Sequence, residues 1–179
     1  MIRRESVERT GRRVIVGALI PVLVVLAVRT WLVEPVTVSS DSMAPTIPSG
    51  AVVFLYKPAE AAGLIRNGVV VAFASPVDGR TAIKRVIAGE GQRVAIRDSE
   101  LFVDDVAVVE PFIDHSRIDG TYFGPETVPA GRVFVLGDNR GVSIDSRDFG
   151  AVPLTAIQGT VLAGQKIVGQ EKMCPGLRR

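Results

Sequence analysis

With 179 residues, of which 47% are hydrophobic and 22% charged, the chain is long enough for one domain with its own core and a short appendage. The formal net charge is only +2 at pH 7, and the basic residues are scattered except at the two termini, so the charge pattern does not favour nucleic-acid binding. A single cysteine, Cys174, and a single histidine, His115, exclude an internal disulfide and a Cys/His zinc site. We therefore expect neither a metal nor a cofactor.

An apolar run near the N-terminus predicts a transmembrane helix. Residues 14–28 read VIVGALIPVLVVLAV without a charge, and the apolar span continues to Val33. About twenty helical residues cover about 30 Å, which is the thickness of the hydrocarbon core of a bilayer. Arg29 lies near the far end, where its long side chain can reach the interface, and Trp31 suits the same depth. We expect an anchor over residues 14–33.

The charges around this run predict its orientation. Five arginines and two glutamates precede it, and the positive-inside rule then places residues 1–13 in the cytoplasm and residues 34–179 outside. The alternative is a cleavable signal peptide, but no A-x-A-like pattern follows the run. We therefore favour a single-pass protein of the plasma membrane, with the lipid bilayer as one of its partners.

After Pro35 the sequence predicts a mainly β domain. Short β-branched runs of four to eight residues alternate with Gly, Pro and Asp, which is the pattern of strands joined by turns. Asp104 and Asp105 separate the runs ELFV and VAVV and predict a hairpin turn. Short helices are expected only over residues 58–65 and 153–158.

A serine-containing turn and a lysine in a predicted strand are the first candidates for chemistry. The turn reads SDSMAPT over residues 40–46, and a serine hydroxyl needs a base before it can attack. Lys84 can be that base only when it is neutral; from a reference pKa near 10.4, about one amine in a few thousand is neutral at pH 7, so burial has to lower the pKa. Strand alternation places Lys84 on the face opposite Ile83 and Arg85. The alternative is that Lys84 and Arg85 are ordinary strand charges.

The third candidate is a polar loop. Residues 137–150 read GDNRGVSIDSRDFG, and their density of donors and acceptors predicts a hydrogen-bonded loop. On composition alone, the alternatives are a solvated turn or a weak calcium loop with D-x-N/D-like spacing.

Taken in this order behind an N-terminal anchor, the three segments resemble the type I signal peptidases, which are membrane-bound Ser/Lys proteases that remove signal peptides from exported proteins. SDSMAPTI is similar to the nucleophile box of that family, AIKRVIAG to its lysine box, and VPAGRVFVLGDNRGVSIDSRDFGAVP to its last and most specific box. The resemblance covers the anchor and most of residues 34–164. It implies an antiparallel β-sheet catalytic domain of the signal-peptidase type.

The resemblance also implies roles for individual residues. Ser42 is the expected nucleophile and Lys84 the expected general base, while the Ser40 hydroxyl and the Ser42 backbone N–H are the expected oxyanion donors. Ser143 corresponds to a serine that orients the lysine. The remaining supporting residues of the loop are Asp145, Arg147, Gly137, Asp138 and Asn139.

The resemblance implies an exported preprotein as the substrate, with small residues at the first and third positions before the cut. Shallow apolar pockets reject larger side chains by steric clash, and an extended substrate can add as a strand. Val38 and Met43 are candidate residues for lining such a pocket, and the alternative is that they only pack in the core.

Two other functions fit parts of the sequence. A self-cleaving Ser/Lys regulator shares the catalytic logic, but this chain has an anchor where a DNA-binding domain is expected. A membrane-anchored, β-rich binding module needs no catalysis. The environment of Lys84 distinguishes the enzyme from the binding module, because only the enzyme requires a buried neutral amine.

Overall fold

A computed structural model of the protein describes residues 17–26, 31–59, 63–113 and 122–162. Within these ranges the strands are β1 Val33–Thr37, β2 Val52–Tyr56, β3 Val70–Ala74, β4 Thr81–Ala88, β5 Arg93–Arg97, β6 Glu100–Val103, β7 Val106–Ala107, β8 Phe123–Thr127, β9 Arg132–Leu136, β10 Val152–Pro153 and β11 Ile157–Val161. The short helical elements after β1 are the 3-10 turns Asp41–Met43, Lys57–Ala59 and Leu154–Ala156, and one α-helical turn, Ser146–Phe149.

Seven strands form an antiparallel sheet in the order β1-β2-β11-β3-β4-β9-β10. β3 lies at its centre because its sequence, VVAFA, is apolar on both faces and its first four residues are buried. Val70 and Ala72 pack with Met43 in one hydrophobic cluster, whereas Val71 and Phe73 belong to a second cluster. The neighbouring strand β4 therefore crosses a region where a polar side chain is shielded from water.

The other four strands form a smaller antiparallel sheet in the order β7-β6-β5-β8. A third hydrophobic cluster joins the two sheets: Phe134 and Leu136 of β9 pack with Val94 of β5 and Leu101 of β6. The ring of Phe123 in β8 lies 5.3 Å from that of Phe134, centroid to centroid. The two sheets share this part of the core.

The N-terminal segment is described only in part. Residues 17–26 are helical and exposed. The predicted anchor, residues 14–33, lies partly outside the described residues, and the predicted cytoplasmic segment, residues 1–13, lies wholly outside them. No helix among the described residues is long and apolar enough to cross a membrane. β1 begins at Val33, so the last residue of the predicted anchor already belongs to the sheet.

The prediction of a mainly β, antiparallel domain is confirmed, and so is the hairpin. Val103 pairs with Val106 across a two-residue turn, and Asp104 and Asp105 both have positive φ, at 52° and 62°. Such turns match the right-handed twist of the strands that they join. Aspartate is one of the residues that tolerate this conformation best.

The two predicted helices are much shorter than expected. In the first, residues 58–65, the described part forms only the 3-10 turn Lys57–Ala59. In the second, residues 153–158, only the 3-10 turn Leu154–Ala156 is helical, because Pro153 belongs to β10 and β11 begins at Ile157. Ile157 pairs there with Phe73 of β3, and its apolar side chain packs against the cluster around Phe73. Tertiary packing therefore overrides the local preference.

We expect Phe134→Ala to lower the free energy of unfolding by about 3–5 kcal/mol, because it leaves a cavity where the two sheets meet. Phe54→Ala is the matched control, since Phe54 is 45% exposed, and it should cost about 1 kcal/mol or less. Urea titrations followed by circular dichroism give both values. Equal losses for the two variants would contradict a shared core at Phe134.

Candidate active site

Ser42 lies in a 3-10 turn that is fixed to the polar loop. The turn, Asp41–Met43, follows β1, and Ser42 is 8% exposed. The backbone N–H of Asn139 donates to the carbonyl oxygen of Ser42 at 3.0 Å, and the Asn139 side-chain amide donates to the carbonyl oxygen of Asp41 at 3.1 Å. Two bonds from one asparagine therefore fix the position of the turn relative to the loop.

The hydroxyls of Ser40 and Ser42 face each other. Their Oγ atoms are 3.1 Å apart, which is within hydrogen-bond distance. Ser40 is exposed whereas Ser42 is buried. The pair therefore places one accessible hydroxyl beside one shielded hydroxyl.

Lys84 is buried in the middle of β4. It pairs with Val71 of β3, which places it on the face opposite Ile83 and Arg85, as strand alternation predicted. Lys84 is only 5% exposed. Burial lowers the pKa of its amine below the ordinary value of 10.5, while the charges of Asp145 and Asp138 oppose this effect and that of Arg147 adds to it. The loss of hydration outweighs the attraction of the carboxylates.

Ser42 and Lys84 line the same cavity, whose volume is about 260 Å³. Ser40 and Val38 also line it, so the structure brings together four of the predicted site residues. Met43 does not line the cavity, because it is fully buried in the hydrophobic core. The other lining residues are Val36, Thr37, Ser39, Ser75, Val77, Asp78, Arg80, Thr81, Ala82, Ile83, Ile144 and Phe149.

Gly137 packs where no side chain fits. A Cβ atom at this position would overlap the Ser143 hydroxyl and would lie 2.6 Å from the carbonyl oxygen of Ser42. The Gly137 backbone N–H donates to Asp145 Oδ2 at 3.0 Å. Ser143 Oγ is buried and has no hydrogen-bond partner in the part of the chain that the structure describes. Ser143 is thus a shielded hydroxyl held close to the backbone of Ser42.

Asp145 and Arg147 hold the far side of the loop. Arg147 binds both carboxylate oxygens of Asp145, from Nε at 2.8 Å and from Nη2 at 3.0 Å. Arg147 Nη2 also donates to the carbonyl oxygens of Arg140 at 2.8 Å and Ser143 at 3.3 Å. Asp145 in addition caps the helical turn Ser146–Phe149 together with Asp148. The two predicted supporting residues therefore join three segments of the loop.

Asp138 has a partner that the sequence did not identify. Arg85 binds both of its carboxylate oxygens, at 2.8 and 2.6 Å, and both side chains are buried. Arg85 and Arg147 bind the carboxylates of Asp138 and Asp145, so these carboxylates are not free to bind calcium. This arrangement argues against the alternative of a calcium-binding loop. No group of three His, Cys, Asp or Glu residues within the described ranges could hold a metal. His115 and Cys174 lie outside those ranges.

Sequence reasoning also missed a buried ion pair at this loop. Arg140 Nη2 lies 2.5 Å from Glu110 Oε1, and the side chains are 3% and 2% exposed. Arg140 lies in the polar loop 137–150, which the sequence already identified as a candidate site. Glu110 carries no sequence signal, because it stands thirty positions away in a segment between predicted strands.

Comparison with known proteins assigns a family to this arrangement. The family model described as Signal peptidase, peptidase S26, matches residues 11–164. Signal peptidase I of Bacillus licheniformis is 32% identical over 79% of this chain and 81% of its own length, and signal peptidase I of Bacillus caldolyticus is 34% identical over 86% and 90%. The chloroplastic thylakoidal processing peptidase 1 of Arabidopsis thaliana is 35% identical over 80% of this chain and 45% of its own length. A crystal structure of a signal peptidase I from Enterococcus faecalis V583 matches with a TM-score of 0.49 and 31% identity, over 54% of this chain and 95% of that one.

We expect Lys84→Met to stabilise the fold at neutral pH by about 1 kcal/mol, because it fills similar space without a buried amine that can be charged. The unfolded chain binds the Lys84 proton with the ordinary pKa of 10.5 and the folded chain with a lower pKa, so the unfolded state holds more protons between the two values. The wild type therefore gains stability as the pH rises through that window, and the difference between the proteins shrinks.

Urea titrations at a series of pH values from 7 to 10 measure this difference. The control is Lys57→Met, because the Lys57 side chain is 36% exposed and paired with Glu34. It should give no gain. A Lys84→Met variant that is less stable than the wild type at every pH would show that the buried amine is not a cost to the fold.

Proposed function

The chain belongs to the signal peptidase family, peptidase S26, and we propose that it is a serine endopeptidase that removes signal peptides from exported preproteins, with Ser42 as the nucleophile and Lys84 as the general base. The observation that carries this assignment is that the two side chains are both buried and line one cavity. A serine and a lysine with a lowered pKa in a shielded pocket form an activated nucleophile without a histidine.

The reaction proceeds in two steps. Neutral Lys84 takes the proton from Ser42 Oγ while that oxygen attacks the scissile carbonyl carbon, and the resulting ammonium then gives its proton to the departing amine. The C–N bond breaks, and an ester of Ser42 with the signal peptide remains. Lys84 next removes a proton from water, whose oxygen attacks the ester carbon. The bond between that carbon and Ser42 Oγ breaks, the Lys84 ammonium returns its proton to Ser42 Oγ, and the signal peptide leaves with a carboxyl group.

Ser40 and the Ser42 backbone N–H are the proposed donors to the oxyanion. Ser40 Oγ lies 3.1 Å from Ser42 Oγ. The carbonyl oxygen that becomes negative has to lie next to the attacking atom, so a hydroxyl at this distance can turn toward it. Removing one such donor commonly lowers kcat by about a hundredfold or more.

The loop around Gly137 supports the base. Ser143 Oγ is buried with its hydrogen-bonding capacity free among the described residues, and we assign it to orient the Lys84 amine. Asp145 and Arg147 hold the backbone of the loop, and Asp138 and Asn139 fix it to neighbouring segments. Gly137 allows the close approach of Ser143 to the Ser42 turn.

The cavity suits an extended peptide with small side chains. Val38 is 4% exposed and lines the cavity together with Ser42, and we propose that it forms part of a shallow apolar pocket for a substrate side chain. A preprotein with alanine at the first and third positions before the cut meets this condition. Met43 lies one layer deeper, where it packs beneath the cavity rather than touching the substrate.

We further propose that the apolar segment predicted over residues 14–33, up to the start of β1 at Val33, anchors the enzyme in the plasma membrane with the β domain outside the cytoplasm. The support is the uncharged sequence of residues 14–28, with an excess of arginine before it, and the exposure of the apolar helical residues 17–26. A substrate whose own hydrophobic segment lies in the bilayer then meets the active site at high local concentration.

We expect the full chain in detergent to release a new N-terminus directly after the A-x-A site of a preprotein. Ser42→Ala and Lys84→Met should each slow this cleavage by about a thousandfold or more, because each removes a member of a unit that works together. Ser49→Ala is the matched control: it is an exposed serine outside the cavity and should cleave like the wild type. Mass spectrometry of the products identifies the cut. A Ser42→Ala variant that cleaves at the wild-type rate would exclude Ser42 as nucleophile, and a folded wild type that never cleaves would exclude the proposed function.

A further inference from the structure

A turn outside the three recognised segments contacts the polar loop 137–150, called the catalytic loop below, at one point and the neighbouring strand β4 at another. Residues 110–113 follow β7 and close a turn in which the Ile113 N–H donates to the carbonyl oxygen of Glu110 at 3.1 Å. Glu110 and Ile113 are buried. We call residues 110–113 the 110–113 turn. Its two contacts both go to arginines, one within the loop and one on the strand beside it.

The first contact is the ion pair between Glu110 and Arg140. It joins Oε1 and Nη2 at 2.5 Å, with both side chains almost fully buried. Arg140 Nε donates to the carbonyl oxygen of Gly137 at 3.1 Å, and the Arg140 carbonyl oxygen accepts from Arg147. Glu110 therefore holds the side chain that fixes the backbone at Gly137, the residue that separates Ser143 from the turn of Ser42.

The second contact is between Phe112 and Arg85. The guanidinium carbon of Arg85 lies 4.2 Å from the centroid of the Phe112 ring, which is a cation–π distance. The same guanidinium binds Asp138 through two hydrogen bonds and the carbonyl oxygen of Gly68 through a third. Phe112 therefore covers the arginine that holds the second residue of the loop.

We propose that the 110–113 turn is a clamp for the catalytic loop, and that Glu110 and Phe112 are positioning residues for the cleavage reaction. This inference rests on the proposed function, because the geometry that the clamp maintains is that of Ser42, Lys84 and Ser143. Neither Glu110 nor Phe112 lines the cavity. The clamp therefore acts on the placement of the reacting groups and leaves the substrate contacts unchanged.

The clamp predicts a separation of kcat from KM. Small displacements of reacting groups by distant changes cost up to about a hundredfold in rate, whereas substrate affinity follows the cavity wall. Glu110→Gln leaves Arg140 without its charged partner. Phe112→Leu keeps an apolar side chain but removes the ring beside Arg85. Both variants should lower kcat of the folded protein by between about tenfold and about a hundredfold, with KM changed by less than about twofold.

The chain offers a matched control for each variant. Asp105 forms exposed ion pairs with Arg93 and Arg97, so Asp105→Asn removes a carboxylate of the same kind at the surface. The ring of Phe102 lies 5.0 Å from the guanidinium carbon of Arg97, so Phe102→Leu removes a ring from a cation–π pair far from the loop. Both controls should keep kcat and KM within about twofold of the wild type.

The experiment measures kcat and KM of full-length variants on a preprotein, the folded fraction by urea titration, and hydrogen exchange of peptides covering residues 137–145. The clamp predicts faster exchange there in Glu110→Gln and Phe112→Leu, because the amides of Gly137 and Ser143 donate to partners within the held loop and the amide of Asn139 donates to the Ser42 turn. If Glu110→Gln does not fold, the kcat and the hydrogen exchange of Phe112→Leu decide whether the turn positions the loop. Unchanged kcat in the folded fraction, or a loss no larger than in the controls, overturns the clamp.

Hydrogen exchange separates this inference from the proposed function. If the wild type cleaves no preprotein, the function fails, and the exchange rates of residues 137–145 still decide whether the turn holds the loop. If the wild type cleaves and the variants cleave equally fast with unchanged exchange, only the clamp fails.

Discussion

The fold removes the Lys84 amine almost completely from water. An amine is a base only when it is neutral, and removal from water is what lowers the pKa of Lys84 here. A buried amine in turn needs walls, and the apolar face shared by β3 and β4 supplies them because β3 is apolar on both sides. The same burial destabilises the charged state, so the fold carries a stability cost at the residue that we propose as the general base.

Two carboxylates close to Lys84 oppose this effect, and the structure limits their influence. Asp145 and Asp138 raise the pKa of the amine, but each is bound by an arginine, Arg147 and Arg85 respectively. These ion pairs also fix the loop that carries Ser143. Charge balance and loop geometry thus come from the same contacts, and the 110–113 turn contacts Arg85 and Arg140 from outside the loop.

Features of the structure that depend on local sequence pattern could be predicted from the sequence. Strand alternation correctly placed Lys84 opposite Arg85, and two aspartates correctly marked a hairpin turn. β8 was missed because its sequence, FGPET, contains a glycine and a proline that typically interrupt strands. The partners of Asp138 and Arg140 were missed for a different reason: Arg85 and Glu110 are distant in sequence, and only folding brings them to the loop.

The pH dependence of kcat at saturating preprotein is the decisive measurement for the proposed role of Lys84. Because the neutral form of Lys84 increases with pH, the account predicts a rate that rises through a single ionisation below 10.5 and falls on acidification. The folded state has to be verified at each pH so that unfolding does not imitate the titration. A rate that stays constant between about pH 5 and pH 9 in folded protein would contradict a lysine base.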